Sequence, residues 1–237
     1  MSYQFGPTAK PEDVGSYVAE QFDNEALYVH LQGLPFAHLE SIAQESYIRE
    51  ASGVIGQLSL SNNLVTSDVW RLDHATNPNG DRVPYHTDNP FYERPEKYIG
   101  FWNVRSSEKG GENVLLPLRT ILENQYRAPR HAAGMITEAQ LRQVTFSQKE
   151  HTVTAPIIDT DTRRIRFDSR YIGWPNDFFA QALARLLERQ TFEAKSIKLN
   201  EGDVLFFDNH KLLHARQPYA DSRRTTIRVR IKDEEAN

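Results

Sequence analysis

The chain has 237 residues, 39% of them hydrophobic and 25% charged, which is enough apolar material for the core of one ordinary soluble domain. A net charge of -4 supplies no basic field for nucleic acid, and the lack of cysteine excludes disulfides, zinc–thiolate sites and thiol nucleophiles. Any metal must therefore be held by His, Asp or Glu. The opening MSYQFGPTAK carries no apolar signal segment, and no stretch approaches the ~18 apolar residues needed to span a bilayer. A cytoplasmic protein with no membrane partner is the expectation.

In chain order, Lys10 to Leu31 read as a helix, opened by Pro11-Glu12-Asp13 and striped by Val14, Val18, Phe22 and Leu27. A second helix is expected after Pro35, with Phe36, Leu39, Ile42 and Tyr47 on one side, both helices covering a sheet face. Gly53 to Leu64 reads as extended with a turn at Asn62-Asn63, and Val69 to Leu72 as a strand. The loop Asn77-Pro78-Asn79-Gly80-Asp81 then delivers the chain into an extended Val83 to Asp88, which Asn89-Pro90 stops.

Tyr98 to Val104 is apolar and aromatic, an inner strand; Lys109 to Asn113 is a turn, and Val114 to Pro117 returns. Thr120 to Gln125 opens a short helix, Tyr126 to Met135 looks like a loop, and Thr137 to Leu141 begins a helical turn. The region around 120–150 reads as an insertion placed to lie over a site. His151 to Ile158, Arg163 to Phe167 and Ser196 to Leu199 are expected strands, the first two joined by a turn at Asp159 to Thr162. Asn176 to Arg189 is the clearest helix, with Phe179, Leu183, Leu186 and Leu187 buried. Val204 to Phe207 is an interior strand, and Thr225 to Ile231 closes the chain. Many short strands without regular strand–helix alternation predict a mainly β fold with flanking helices, a double-stranded β-helix or jelly roll, as a single domain over 1–237.

Within this frame, His86-Thr87-Asp88 projects an imidazole and a carboxylate from one face of an extended segment. A second histidine would complete a two-histidine, one-carboxylate triad, the donor set that leaves open positions on non-haem Fe(II). His210 and His214 are the downstream candidates. The plainer reading of a His-x-Asp pair is a surface hydrogen bond.

The ordered set His86-x-Asp88, Gly110-Gly111-Glu112-Asn113, Leu199-x-Glu201-Gly202-Asp203, Asp208-Asn209 and His214-Ala215-Arg216, followed by Arg224 and Arg228, resembles the taurine dioxygenase and clavaminate synthase branch of the Fe(II)/2-oxoglutarate-dependent oxygenases. The resemblance runs from about Val69 to Ile231. It implies that His86, Asp88 and His214 bind Fe(II), His210 fitting the family register less well. Arg224 and Arg228, four apart on a predicted strand, should face the same way and into the barrel. The family pattern favours Arg224 for the far carboxylate of 2-oxoglutarate and Arg228 for an anionic group on the substrate. Because in some members the cosubstrate arginine falls where Arg228 does, both stay candidates. Arg223 and Arg230 fit a solvated ladder instead. Asn113 stands where relatives place a threonine that touches the cosubstrate.

Halogenating relatives lack the triad carboxylate; with Asp88 present, the implied reaction is C–H hydroxylation by molecular oxygen, with 2-oxoglutarate oxidised to succinate and CO2. Desaturation or ring closure follow from the same oxidant. Tyr85, Phe101, Trp102 and Asn103 flank the predicted site as pocket or core residues. Arg228, Arg216 and Asn62-Asn63 suggest a polar substrate, a small amino acid or derivative, and a homo-oligomer is compatible with the sequence. The alternatives are a metallo-oxygenase of this fold that does not use 2-oxoglutarate and a non-catalytic small-molecule-binding jelly roll.

Overall fold

The computed structural model describes residues 2–58, 64–73, 80–127, 129–172, 178–189 and 193–233. Its larger sheet runs in spatial order through β1 (Ser2–Gln4), β2 (Tyr28–Gln32), β12 (Val204–Asp208), β5 (Tyr98–Arg105), β14 (Thr225–Asp233) and β3 (Leu64–Leu72). The smaller sheet runs through β11 (Lys195–Ile197), β6 (Asn113–Pro117), β13 (Leu212–Arg216) and β4 (Val83–His86). Two short hairpins, β7 (Gln143–Gln148) with β8 (His151–Pro156) and β9 (Ile158–Asp159) with β10 (Arg164–Ile165), complete the strands.

Side-chain alternation sorts each strand between layers. Leu205 and Phe207 of β12, Ile99 and Phe101 of β5, Leu115 of β6 and Leu212 of β13 meet between the two sheets. Val204, Phe206, Trp102, Ile227, Val229 and Ile231 point the other way, onto helices α1 (Pro11–Asp23) and α2 (Ser41–Leu58). On the far side of the smaller sheet, Val114, Leu116, Leu213 and Ala215 pack against α3 (Leu118–Gln125), α4 (Arg130–Leu141) and α5 (Phe178–Arg189). The result is a double-stranded β-helix with helices outside it. Because Ile227, Val229 and Ile231 face the helices, Arg228 and Arg230 must face the interior. That parity positions the site.

Several local expectations are corrected. The first helix ends at Asp23, where Glu25 at φ 63° reverses the chain, and Tyr28–Gln32 becomes a strand between β1 and β12. Pro35–His38 is a 3-10 turn, and the second helix runs from Ser41 through Gly53 and Gly56, where an extended segment was expected. Packing requires smallness at Gly56, where a Cβ would strike the Leu64 carbonyl, and at Gly15 of α1, where one would strike Ala51 and Val54 of α2; Gly53 faces open space and has no such reason. The expected loop before Met135 is largely helix α4, whose Ala132, Ile136 and Ala139 form a buried stripe. Gln143–Gln148 and Leu212–Arg216 are strands that were not anticipated, and only Arg164–Ile165 of the Arg163 to Phe167 segment pairs. The turns at Asn62-Asn63 and at 77–79, and the start of the helix at Asn176, lie outside the described residues. Gly110 and Gly111 do make a turn at φ 71° and 76°, and a Cβ on Gly110 would run into the Pro218 carbonyl. Among the described residues no helix is long and apolar enough to cross a membrane.

Candidate active site

β4 turns Tyr85 outward into the hydrophobic layer and His86 inward. On β13, His214 lies directly opposite His86 in the strand register, with ring centroids 4.0 Å apart. Asp88 follows two residues after His86, and its Oδ1 is 3.5 Å from Nε2 of both histidines. The potential ligand atoms of the three residues lie within 4.8 Å of one another, and all three residues are buried. His86 Nδ1 is 2.9 Å from the Pro84 carbonyl, which fixes the proton there and leaves Nε2 as a lone-pair donor. His210 does not join them: its ring is 3.0 Å from the Pro95 carbonyl.

The segment that carries Asp88 is held by partners the sequence reading did not single out. The Asp88 amide donates to Asn209 Oδ1 at 2.8 Å, while Asn209 Nδ2 donates to the carbonyls of Asp88 at 3.2 Å and Glu96 at 2.9 Å. Asn89, at φ 48°, donates its side-chain amide to the buried Glu96 carboxylate at 2.9 and 3.0 Å. The Asp208-Asn209 signal was part of the motif set, but its link to Asp88 spans 121 residues and is visible only in the fold.

The electrostatics suit a metal. Burial alone would raise the Asp88 carboxyl, but its contacts with His214 and His86 and the Arg228 charge outweigh that and hold it well below the usual carboxylate range. Burial, with the His86 charge second, pushes His214 down to about 4, so its imidazole is neutral and available as a ligand. Two imidazoles and one carboxylate, gathered on one side of a buried site, form the donor set of a facial-triad Fe(II) centre.

Two cavities meet at this cluster. One, of about 400 Å³, is lined by Asn113, Tyr219, Arg224, Thr226 and Arg228 with the three candidate ligands. Arg224 is only 6% exposed and has no carboxylate partner among the described residues. Burial, then the neighbouring Arg216 charge, lowers its pKa to about 10, and its guanidinium stacks over the Tyr219 ring at 5.1 Å. Asn113 Nδ2 is likewise buried without a hydrogen-bond partner. Unsatisfied donors around a buried guanidinium fit an incoming carboxylate such as that of 2-oxoglutarate.

The second cavity, of about 630 Å³, shares His86, Asp88, Arg170 and Arg228 with the first. Asp68, Trp70, Tyr92, Lys149, Asp168 and Arg230 add to its wall. Arg228 lines the first cavity together with Arg224, although Arg224 precedes β14 and only Arg228 lies on the strand. Unlike Arg224 it has an acid to hand, with Nη1 3.2 Å from Asp88 Oδ2.

Residues 29–230 match the family described as taurine catabolism dioxygenase TauD, TfdA family. The chain belongs to that family, and with it to the Fe(II)/2-oxoglutarate-dependent oxygenases. No curated protein matches the TauD/TfdA-family chain in sequence. Its fold is similar to that of the non-haem iron oxygenase OrfP in complex with Fe, at 16% identity and a TM-score of 0.64, covering 93% of this chain and 79% of that one. Asparagine oxygenase in complex with Fe(II), hydroxyasparagine and succinate is similar at 13% identity and a TM-score of 0.67, over 93% and 78% of the two chains. PvcB from Pseudomonas aeruginosa is similar at 19% identity and a TM-score of 0.60, over 97% and 85%.

Among the residues flanking the motif, Phe101 lines the first cavity, Tyr85 and Trp102 belong to the outer hydrophobic layers, and Asn103 is tied to Leu199, Asn200 and Thr226. Arg216 lines the Arg224 cavity and not the second one. Arg223 sits in exposed ion pairs with Asp221 and Glu108. Arg230 does not: its Nε donates to Asp88 Oδ2 at 3.0 Å and its Nη1 to Asp68 at 3.1 Å. The correction follows from strand parity, since Arg230 is two residues beyond Arg228 and shares its inward face.

Proposed function

We propose that this dioxygenase hydroxylates a C–H bond of an amino-acid-like small molecule, with His86, Asp88 and His214 holding Fe(II) and Arg224, assisted by Asn113, holding the far carboxylate of 2-oxoglutarate. The observation that carries the cosubstrate assignment is the asymmetry between the two arginines: Arg224 is buried without an acid, whereas Arg228 already faces Asp88. Arg228 stands where the two cavities join and offers its cation to an anionic group on the substrate in the second. Fe(II), when bound, supplies the oxygen chemistry that couples decarboxylation of 2-oxoglutarate to C–H oxidation. The chain supplies position and dryness: imidazoles from His86 and His214, a carboxylate from Asp88, and apolar cover from Phe101 and Phe207 beside His214.

The substrate class draws support from OrfP, crystallised with L-Arg, and asparagine oxygenase, crystallised with hydroxyasparagine. The paired charges of the second cavity, with Arg170 on Asp168 and Arg230 on Asp68, are those of a chamber for a small zwitterion. On this reading the protein is one domain over 1–237, with the region around 120–150 as an insertion that brings Gln148 to the cavity wall. Molecular oxygen is the third reactant, and a net charge of -4 leaves no role for nucleic acid. A cytoplasmic location, no membrane partner and an optional homo-oligomer complete the proposal.

The test is anaerobic loading with Fe(II) and 2-oxoglutarate, followed by oxygen and a pool of free amino acids, with succinate and hydroxylated product read by mass spectrometry. A visible charge-transfer band and amino-acid-stimulated succinate are expected, and Asp88→Ala should abolish the hydroxylated product. Iron bound without the band would refute the use of 2-oxoglutarate.

A further inference from the structure

Asp88 presents its two carboxylate oxygens to different surroundings. Oδ1 faces the two histidines at 3.5 Å, while Oδ2 is taken by Arg230 Nε at 3.0 Å and Arg228 Nη1 at 3.2 Å. The two arginines are not equivalent. Arg230 reaches two carboxylates at once, Asp88 through Nε and Asp68 through Nη1, and Asp68 is its direct cross-strand neighbour on β3. Arg228 touches only Asp88 among these acids, its Nε is buried without a hydrogen-bond partner, and its cross-strand neighbour is Trp70. A planar guanidinium bound at two points on different strands has little freedom to turn, whereas one bound at a single edge can swing.

We propose that Asp68 and Arg230 form a positioning pair for the metal site, Asp68 orienting Arg230 and Arg230 holding the outer oxygen of Asp88 so that only Oδ1 is offered to the metal. This rests on the reading of His86, Asp88 and His214 as the Fe(II) ligands. The pair fixes the ligand's angle independently of Arg228, so Arg228 can engage a substrate without releasing Asp88. It also gives β3, an edge strand that carries no ligand, a part in the site through its cross-strand pairing with β14.

The experiment is a titration of the metal-free protein with Fe(II) under anaerobic conditions, followed by calorimetry, so no turnover is needed. Groups that orient a metal ligand typically change affinity ~10–100-fold when removed. Arg230→Met should weaken Fe(II) binding by that factor, Asp68→Asn should weaken it by about tenfold, and the double variant should be no weaker than Arg230→Met alone. The signs separate this from simple charge effects: through-space electrostatics predicts tighter binding for Arg230→Met and weaker binding for Asp68→Asn. Unchanged or tighter binding by Arg230→Met, or additive losses in the double variant, overturns the proposal. Should Arg230→Met not fold, Arg230→Lys, which cannot span both acids, replaces it, and Asp68→Asn should add nothing to its loss. Wild-type protein that fails to bind Fe(II) would overturn the metal reading itself; tight wild-type binding with unaffected variants would overturn the positioning pair alone.

Discussion

Replacing Arg224 with Gln removes the guanidinium that lies buried in the smaller cavity without a carboxylate partner. A hydrogen bond to a charged group contributes ~1.5–3 kcal/mol, and a carboxylate gripped by a guanidinium fork engages two. Arg216 remains nearby and compensates in part, so a net loss of about 3 kcal/mol for 2-oxoglutarate binding is expected, roughly 100-fold in affinity. Arg228→Gln leaves that grip intact and should cost 2-oxoglutarate less than about tenfold, while weakening capture of an anionic substrate. The assay is an anaerobic titration of 2-oxoglutarate into the Fe(II)-loaded protein, read by its charge-transfer band, which needs no knowledge of the substrate. Thermal stability supplies a second reading. Since Arg224 has no native acid to lose and burial already holds its pKa down to about 10, Arg224→Gln gives up only the contact with Tyr219 and should shift Tm little. A larger loss of 2-oxoglutarate affinity in Arg228→Gln than in Arg224→Gln would refute the assignment.

Asn209→Ala should cost about 3 kcal/mol of stability by denaturant unfolding, because it strands the buried Asp88 amide and the carbonyls of Asp88 and Glu96 together; a loss below about 1 kcal/mol would show that water replaces the amide without penalty. In the metal-free protein His214 titrates near about 4 instead of its ordinary 6.5. Between those values the unfolded chain binds a proton that the folded chain refuses, so stability that is fully present above the unfolded value is lost as pH falls towards the folded one, about 3 kcal/mol in all. Unfolding midpoints at pH 7 and pH 4.5 should differ accordingly and the difference should shrink in His214→Gln; an equal difference in that variant would assign the loss elsewhere.

The layered jelly roll was legible in the sequence because it rests on short-range rules, whereas the full metal cluster was legible only through the family resemblance, which singled out His214 far along the chain from His86 and Asp88. Alternation in Val204 to Phe207 and Thr225 to Ile231 sets which face each residue takes, and so places Arg228 and Arg230 inward. Elements governed by distant packing were not legible. Tyr28–Gln32 is a strand because β12 offers it a partner, and α2 keeps a glycine at 56 because Gly56 packs against the Leu64 backbone. The same holds within the site. The sequence by itself determined which residue types could hold Fe(II) and 2-oxoglutarate, and in what order along the chain. Only the tertiary structure decided that Arg224 is the cation left without an acid, that Arg230 is an inward clamp on Asp88, and that Asn209 fixes the backbone of a ligand 121 residues away. Hydrogen bonds and ion pairs between distant segments depend on the register of strands brought together by folding, and no local pattern encodes that register.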